Sequence, residues 1–364
     1  MRVVVAHDYL SQRGGAERVV LEMARAYPGA TVLTSMYVPE RTYPEFRDLT
    51  VRSLGLERIP AIRRDLRRAL PVIGALFRRE VVDADLLLCS SSGFAHQLRG
   101  RGRKVVYCHN PPRWLYQWED YAVGLGASER LAFRLMRSRL LRGDQEGARS
   151  ACGYIANSAN VARRIASAYG IVAPVVHPPR GLGPDGAYEV VPDVAPGFLL
   201  TVGRPRGYKR TDLLKEAVAG MPEQTLVTVG GGPSDGWPPN VVQLTDVSDA
   251  QLRWLYRSAR ALLACSREDF GLTPVEAFAF GVPVGATREG GYLETCVEGR
   301  TGLWLDADSM SALRASIRKL VEHDWDSAAI TRHGQRWQSS SFAREFRRVV
   351  DDLSSDPLGR PNAQ

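Results

Sequence analysis

Ala261-Leu262-Leu263-Ala264-Cys265-Ser266-Arg267-Glu268-Asp269-Phe270-Gly271-Leu272-Thr273-Pro274-Val275-Glu276-Ala277 runs from a short apolar segment through a charged loop into a Thr-Pro helix start. The run 261–265 reads as a buried strand, and a helix is expected near Pro274, because proline lacks only an N–H that the first helical turn leaves unpaired anyway. Glu268 then stands on a loop at the strand's carboxyl end. Gly271 lets the backbone approach a ligand, and the helix start turns N–H groups towards an anion. One carboxylate for sugar hydroxyls beside a helix start for phosphate suits a sugar nucleotide. The same Thr273-Pro274-Val275-Glu276 also reads as a capping box, in which Glu276 bonds back to its own helix start.

Short apolar runs alternate with helix-period segments on both sides of this stretch. They are Val3–Ala6, Thr31–Thr34, Leu86–Cys89, Val105–Cys108 and Tyr154–Asn157, then Phe198–Val202, Leu226–Val229, Val241–Leu244, Ala261–Cys265 and Val282–Ala286. This is the α/β pattern of parallel sheets covered by helices. At 364 residues the chain exceeds one ordinary core, so two domains of roughly 180 residues are expected. The Pro- and Gly-dense stretch 178–197 reads as a linker between a domain 1–177 and a domain 198–341. Doubly wound sheets bind ligands beyond the carboxyl ends of their strands, which makes the cleft between the two domains the expected active site.

Hydrophobic residues at 44% and charged residues at 24% fit a soluble globular protein. Five scattered cysteines, none in C-x-x-C spacing, argue against a disulfide framework and a zinc site and favour a reducing cytoplasm. The opening Met1-Arg2-Val3-Val4-Val5-Ala6-His7-Asp8 breaks its apolar run too early for a signal peptide, and no run of 18 apolar residues spans a membrane. Residues 1–180 hold 28 Lys+Arg against 16 Asp+Glu, or +12, and the remainder −4 of the total +8. Arg52 to Arg79 carries eight arginines among apolar residues, and a second group runs from Arg130 to Arg142. Such basic amphipathic segments suit the inner face of an anionic membrane, with Arg63, Arg64, Arg67 and Arg68 as contacts, or form a plain solvated face. Nucleic acid is not expected, since a pI of 9.4 comes with no recognised binding motif.

Four further segments carry chemistry. After the first strand, Gly14-Gly15 before a helix admits phosphate to backbone N–H groups, while the absence of G-x-G-x-x-G there speaks against a dehydrogenase. At the next strand exit, Val202-Gly203-Arg204 is followed by Lys209, two cations placed to neutralise a diphosphate. Gly230-Gly231-Gly232-Pro233 is another glycine-rich strand exit. His109, after Val105–Cys108 and before Pro111-Pro112, is held by a stiff backbone as a reacting group should be. Asp83-Ala84-Asp85 has the D-x-D spacing of a metal motif but precedes its strand, at the wrong end for the cleft.

In order and spacing, Gly14-Gly15-Ala16-Glu17-Arg18, Cys108-His109-Asn110-Pro111, Val202-Gly203-Arg204 with Lys209-Arg210, Gly230–Pro233, Ser266–Glu276 with Gly281-Val282-Pro283-Val284, and Gly299–Gly302 resemble the retaining glycosyltransferases of family 4, which have the two-domain GT-B fold. His7-Asp8-Tyr9-Leu10 and the His109 block with Trp114 and Trp118 are most similar to the mannosyltransferase-like branch that builds bacterial surface polysaccharides. The resemblance implies two Rossmann-like domains, no metal and no cofactor. It implies GDP-mannose as donor, a UDP-hexose as its rival, and a glycan or lipid-linked acceptor. Arg204 and Lys209 would grip the donor diphosphate, with Gly14, Gly15, Gly203 and Gly230 close by. Glu268 would contact sugar hydroxyls, Phe270, Gly271, Leu272 and Thr273 would offer N–H groups, Glu276 would hold the ribose, and His109 would lie near the reacting carbon. The last helix, 342–353, would return to the first domain. An epimerase or phosphorylase on the same fold, and a non-catalytic membrane-surface protein, are the alternatives.

Overall fold

The computed structural model describes residues 1–118, 126–203, 210–230 and 236–355. Its strands are β1 Val3–His7, β2 Thr31–Thr34, β3 Val51–Ser53, β4 Val81–Val82, β5 Leu86–Ser91, β6 Arg99–Gly100, β7 Arg103–Cys108, β8 Gly153–Ala156, β9 Leu199–Val202, β10 Leu226–Val229, β11 Val241–Leu244, β12 Ala261–Ala264, β13 Val284–Thr287 and β14 Gly302–Leu305. They form two six-stranded sheets, β3-β2-β1-β5-β7-β8 and β11-β10-β9-β12-β13-β14, and a two-stranded β4-β6 ribbon. Pairing is parallel throughout both large sheets. Parallel strands need a crossover between them and are buried on both faces, which is why Val-, Leu- and Ala-rich runs sit here without polar alternation.

The chain divides into two compact units, residues 1–179 with the segment from Ser339, and Arg180–Gln338. In the first, the helix Gly15–Ala26 covers one face of the sheet, and the helices Leu70–Arg79 and Ala159–Tyr169 lie on the other. In the second, Leu255, Val275 and Phe278 pack on one face, and Leu214, Leu313 and Ile317 on the other. Both sheets have the doubly wound order whose direction reverses between two central strands, β1 and β5 in one and β9 and β12 in the other.

The stretch read as a linker is built into the second unit. Leu182, Val191 and Val194 are buried in its core, the Arg180 N–H bonds the Trp337 carbonyl at 2.8 Å, and Arg253 Nε bonds the Gly183 carbonyl at 3.1 Å. Proline and glycine mark irregular backbone there, which is not the same as missing contacts.

The basic stretch 52–79 is no continuous helix. It breaks into the turns Leu56–Arg58 and Leu66–Ala69 and the helices Pro60–Arg64 and Leu70–Arg79. Arg52 pairs with Glu80 and Arg78 with Gln97, while Arg63 and Arg64 are exposed. The side chains of Arg67 and Arg68 lie outside what is described.

The final helix, Ser339–Ser355, packs on the first unit through Phe342, Phe346, Val349 and Val350. Tyr107 of β7 meets both phenylalanine rings edge-on at 5.9 Å, and Arg347 Nε bonds the Ala26 carbonyl at 2.6 Å. Phe346 is fully buried. Truncating it in Phe346→Ala is expected to cost about 3–5 kcal/mol in transfer and cavity energy, read as a lower denaturant midpoint for the first unit.

Candidate active site

In the second unit the β12 strand ends at Ala264, and the chain turns through Ser266 and Glu268 to a helix, Leu272–Ala279. Ser266 Oγ donates to Glu268 Oε1 at 3.0 Å and lies 2.6 Å from the buried Tyr292 hydroxyl. The Gly291 N–H bonds the Glu268 carbonyl at 3.0 Å. Gly271 has φ +89°, and a Cβ there would meet the Tyr292 ring at 2.6 Å. Only glycine satisfies both limits without strain. Side chain and backbone of the Glu268 loop are thus both pinned.

The helix begins two residues earlier than the proline suggests. Gly271 is its N-cap and no side chain caps it. The capping box is therefore not formed, because Glu276 stands two positions beyond the third helical residue, from which a side chain reaches back. Glu276 Oε2 instead accepts from the Tyr256 hydroxyl at 2.8 Å, and its Oε1 lies against Gly181, where a Cβ would meet it at 2.6 Å. These contacts orient the Glu276 carboxylate. The N–H groups of Leu272 and Thr273 open the uncapped end, where an anion is favoured.

Gly203 and Gly230 follow the neighbouring strands β9 and β10, with their N–H groups bonded to Val229 and Leu244 carbonyls at 3.0 Å. Arg204 and Lys209 lie outside the described residues. Arg210, next along, has φ +49° and pairs with Glu289 at 2.9 Å, as does Arg267 through the other carboxylate oxygen. This two-arginine clamp, Tyr256 and Tyr292 were not singled out from sequence. Arg210 and Arg267 stand inside the quoted motifs, but Glu289, Tyr256 and Tyr292 come from other segments and carried no local signal.

In the first unit the carboxyl ends of β1, β5 and β7 are adjacent. Register pairs His7 with Ser90 and Ser91 with Cys108, so His109 emerges one residue beyond. The His109 N–H bonds the Ser91 carbonyl at 2.9 Å, and Asn157 Nδ2 donates to the His109 carbonyl at 3.1 Å. Ser90 Oγ lies 2.8 Å from His109 Nε2 and 3.1 Å from His7 Nδ1. The buried Asp8 carboxylate accepts the N–H groups of Ser92, Phe94 and Ala95 at 2.8, 3.1 and 2.6 Å, which fixes the loop after β5. Gly14 is the extended N-cap of the helix Gly15–Ala26, whose first turn carries the buried Glu17. At the opposite, amino edge Asp83 and Asp85 take Arg2, at 2.9 Å from its guanidinium and 2.6 Å from its N–H.

Burial, and then the neighbouring His7, push the His109 pKa down to about 3. Burial also works against charge on His7, but the nearby Glu17 carboxylate and then the charge of Asp8 outweigh it, so its pKa is raised. Between its ordinary value of about 6.5 and about 3, His109 is protonated in the unfolded chain and neutral in the folded one. Stability is therefore lost as pH falls through that window. His7 acts oppositely: its contribution is present in acid and is lost as pH rises through its raised value. Thermal melts should show the midpoint dropping from about pH 6.5 towards pH 5, and His109→Gln should flatten that slope. An identical slope in the variant would remove His109 as its source.

Two sheets of this order, each followed by glycine-rich strand exits, define a GT-B architecture. Residues 13–184 match the family model Glycosyltransferase Family 4, and residues 190–337 match Glycosyl transferases group 1. The chain belongs to the family 4 glycosyltransferases. It is 30% identical over 177 residues, 42% of this chain and 39% of the relative, to a D-inositol 3-phosphate glycosyltransferase of Corynebacterium kroppenstedtii. A GDP-mannose-dependent alpha-(1-6)-phosphatidylinositol monomannoside mannosyltransferase of Mycolicibacterium smegmatis is 28% identical over 231 residues, 52% of this chain and 60% of that one. These matches span less than two thirds of either relative's length. The crystal structure of Anabaena HepE in complex with UDP-glucose superposes with a TM-score of 0.68 at 19% identity, covering 97% of this chain and 100% of that one, a likeness of fold. No helix among the described residues is long and apolar enough to cross a membrane.

Proposed function

We propose that the protein transfers a hexose from a nucleoside diphosphate sugar to a glycan or lipid-linked acceptor in surface polysaccharide or glycolipid synthesis, with retention of anomeric configuration. The observation that carries this is the uncapped start of Leu272–Ala279, flanked by Glu268 on the approaching loop and Glu276 four residues into the helix. As the glycosidic bond breaks, the leaving diphosphate gains negative charge. Arg204, Lys209 and the helix N–H groups supply fixed positive charge for it, and this requires no metal or cofactor. Glu268 addresses sugar hydroxyls and Glu276 the ribose. His109, held neutral, serves as a hydrogen-bonding group for the sugar and not as an acid. GDP-mannose is the proposed donor, supported by the name of the M. smegmatis relative. A UDP-hexose is the second reading, favoured by the ligand in the HepE structure.

Calorimetry with GDP, UDP and their sugars, paired with transfer assays, tests the assignment. Glu268→Ala should keep nucleotide affinity while transfer falls roughly 10²- to 10³-fold, the size of losing one preorganised group. Arg204→Ala and Lys209→Ala should weaken nucleotide-sugar binding by roughly tenfold or more. Full turnover in the first variant, or unchanged affinity in both others, would refute those roles, and loss of turnover on chelation would refute the metal-free reading.

The exposed Arg63 and Arg64, near the half-exposed Ile59 (46%), support a peripheral contact with the anionic inner face of the cytoplasmic membrane. Replacing Arg63, Arg64, Arg67 and Arg68 by serine should reduce cosedimentation with phosphatidylglycerol liposomes. Unchanged sedimentation would leave these arginines as a solvated face.

A further inference from the structure

We propose that His7 and Ser90, backed by the buried Glu17 carboxylate, form a hydrogen-bond line that fixes His109 as the neutral tautomer protonated on Nδ1, leaving that N–H to donate to a sugar oxygen. The sugar rests on the glycosyl-transfer reading; the tautomer does not.

The direction of the line follows from donor and acceptor counting. His7 Nδ1 lies 3.1 Å from the Ser90 carbonyl. A carbonyl can only accept, so the proton on that contact belongs to His7. Ser90 Oγ is also 3.1 Å from the same nitrogen and therefore accepts from it. The single hydroxyl proton of Ser90 is then left for His109 Nε2, 2.8 Å away. Were Nε2 instead protonated, Ser90 Oγ would accept from both rings, and its own proton would be stranded in a residue with no exposed surface. Buried donors are rarely left so.

The far end of the line is anchored by charge. His7 and Glu17 are only 2% and 1% exposed. His7 Nε2 and Glu17 Oε2 are both buried without a well-formed hydrogen bond, yet the carboxylate is near enough to raise the His7 pKa. Glu17 Oε1 is itself held by Gln12 Nε2 at 2.8 Å. The other nearby carboxylate, Asp8, is committed to three backbone N–H groups. A protonated His7 donates through Nδ1 to Ser90 and faces the Glu17 carboxylate without bonding it, and its charge disfavours a second proton on His109, whose ring centroid is 6.3 Å away. A buried ion pair adds little net stability over apolar residues of similar volume, so the worth of this one lies in what it orients. Glu17, His7 and Ser90 are thus positioning residues that act through His109.

Nitrogen NMR of the full chain labelled with ¹⁵N-histidine tests the wiring, with His109→Gln and His7→Gln assigning two of the six histidines. At neutral pH His109 should show a protonated Nδ1 and a bare Nε2. Ser90→Ala should convert it to a mixture with the proton on either nitrogen, and Glu17→Gln should let His7 lose its proton at lower pH. Turnover in Ser90→Ala should fall roughly tenfold, about the worth of one hydrogen bond, with donor KM little changed. A wild-type His109 protonated on Nε2, or a tautomer indifferent to Ser90→Ala, would overturn the proposal. If Ser90→Ala does not fold, the wild-type tautomer and the Glu17→Gln shift decide it. If the tautomer behaves as stated while no sugar nucleotide is turned over, the line stands and only its use in glycosyl transfer falls.

Discussion

Parallel pairing is the constraint on which the rest depends. Strands that run the same way finish on the same edge, so the chemistry-bearing residue after each strand arrives beside that of its neighbour whatever their distance in sequence. His7, Ser90 and His109 come from three adjacent strands of one sheet, and Gly203, Gly230 and the Glu268 loop from three of the other. Single-residue register matters because a shift along β5 would replace Ser90 by Ser91, whose side chain points to the opposite face and bonds His96 at 3.0 Å.

The two edges are dressed with opposite electrostatics. In the second unit carboxylates and cations alternate: Glu289 ties Arg210 and Arg267 together, and Glu276 and Glu268 are oriented by the hydroxyls of Tyr256 and Ser266. Those hydroxyl donors cost little to bury, since each is satisfied by its carboxylate. In the first unit the group presented beyond the sheet is an imidazole kept uncharged, while His7 behind it has its pKa raised by Glu17 and Asp8. On the proposed glycosyl-transfer reading, a neutral ring adds no like charge to a sugar carbon that is gaining positive charge.

Much of this was legible in the chain. All ten short apolar runs overlap strands, because strands covered on both faces are dominated by Val, Leu and Ala and leave a clear signature. The edge strands β3 and β14 were missed: Arg52 interrupts one and Gly302 opens the other, and both are only half-buried. The placement of Glu268 and His109 at strand exits and of Glu276 in the following helix was legible because strand exits and helix starts are local features. Tyr256, Tyr292 and the partners behind His109 were not, since each is defined by a contact across sheet or helix. The capping-box reading failed for a physical reason as well: Gly271, free to take positive φ, starts the helix before Thr273 can.

The order of synthesis gives the closing helix a further meaning. Ser339–Ser355 packs on β7 and β8 beside the helix Gly15–Ala26, with Phe342 and Phe346 on Tyr107, yet it is made after the whole second unit. At about 5–20 residues per second, that surface stays uncovered for roughly ten to thirty seconds while residues 180–338 are made. Losing residues 339–355 would therefore unsettle the half of the chain made first and leave the second unit's own core untouched.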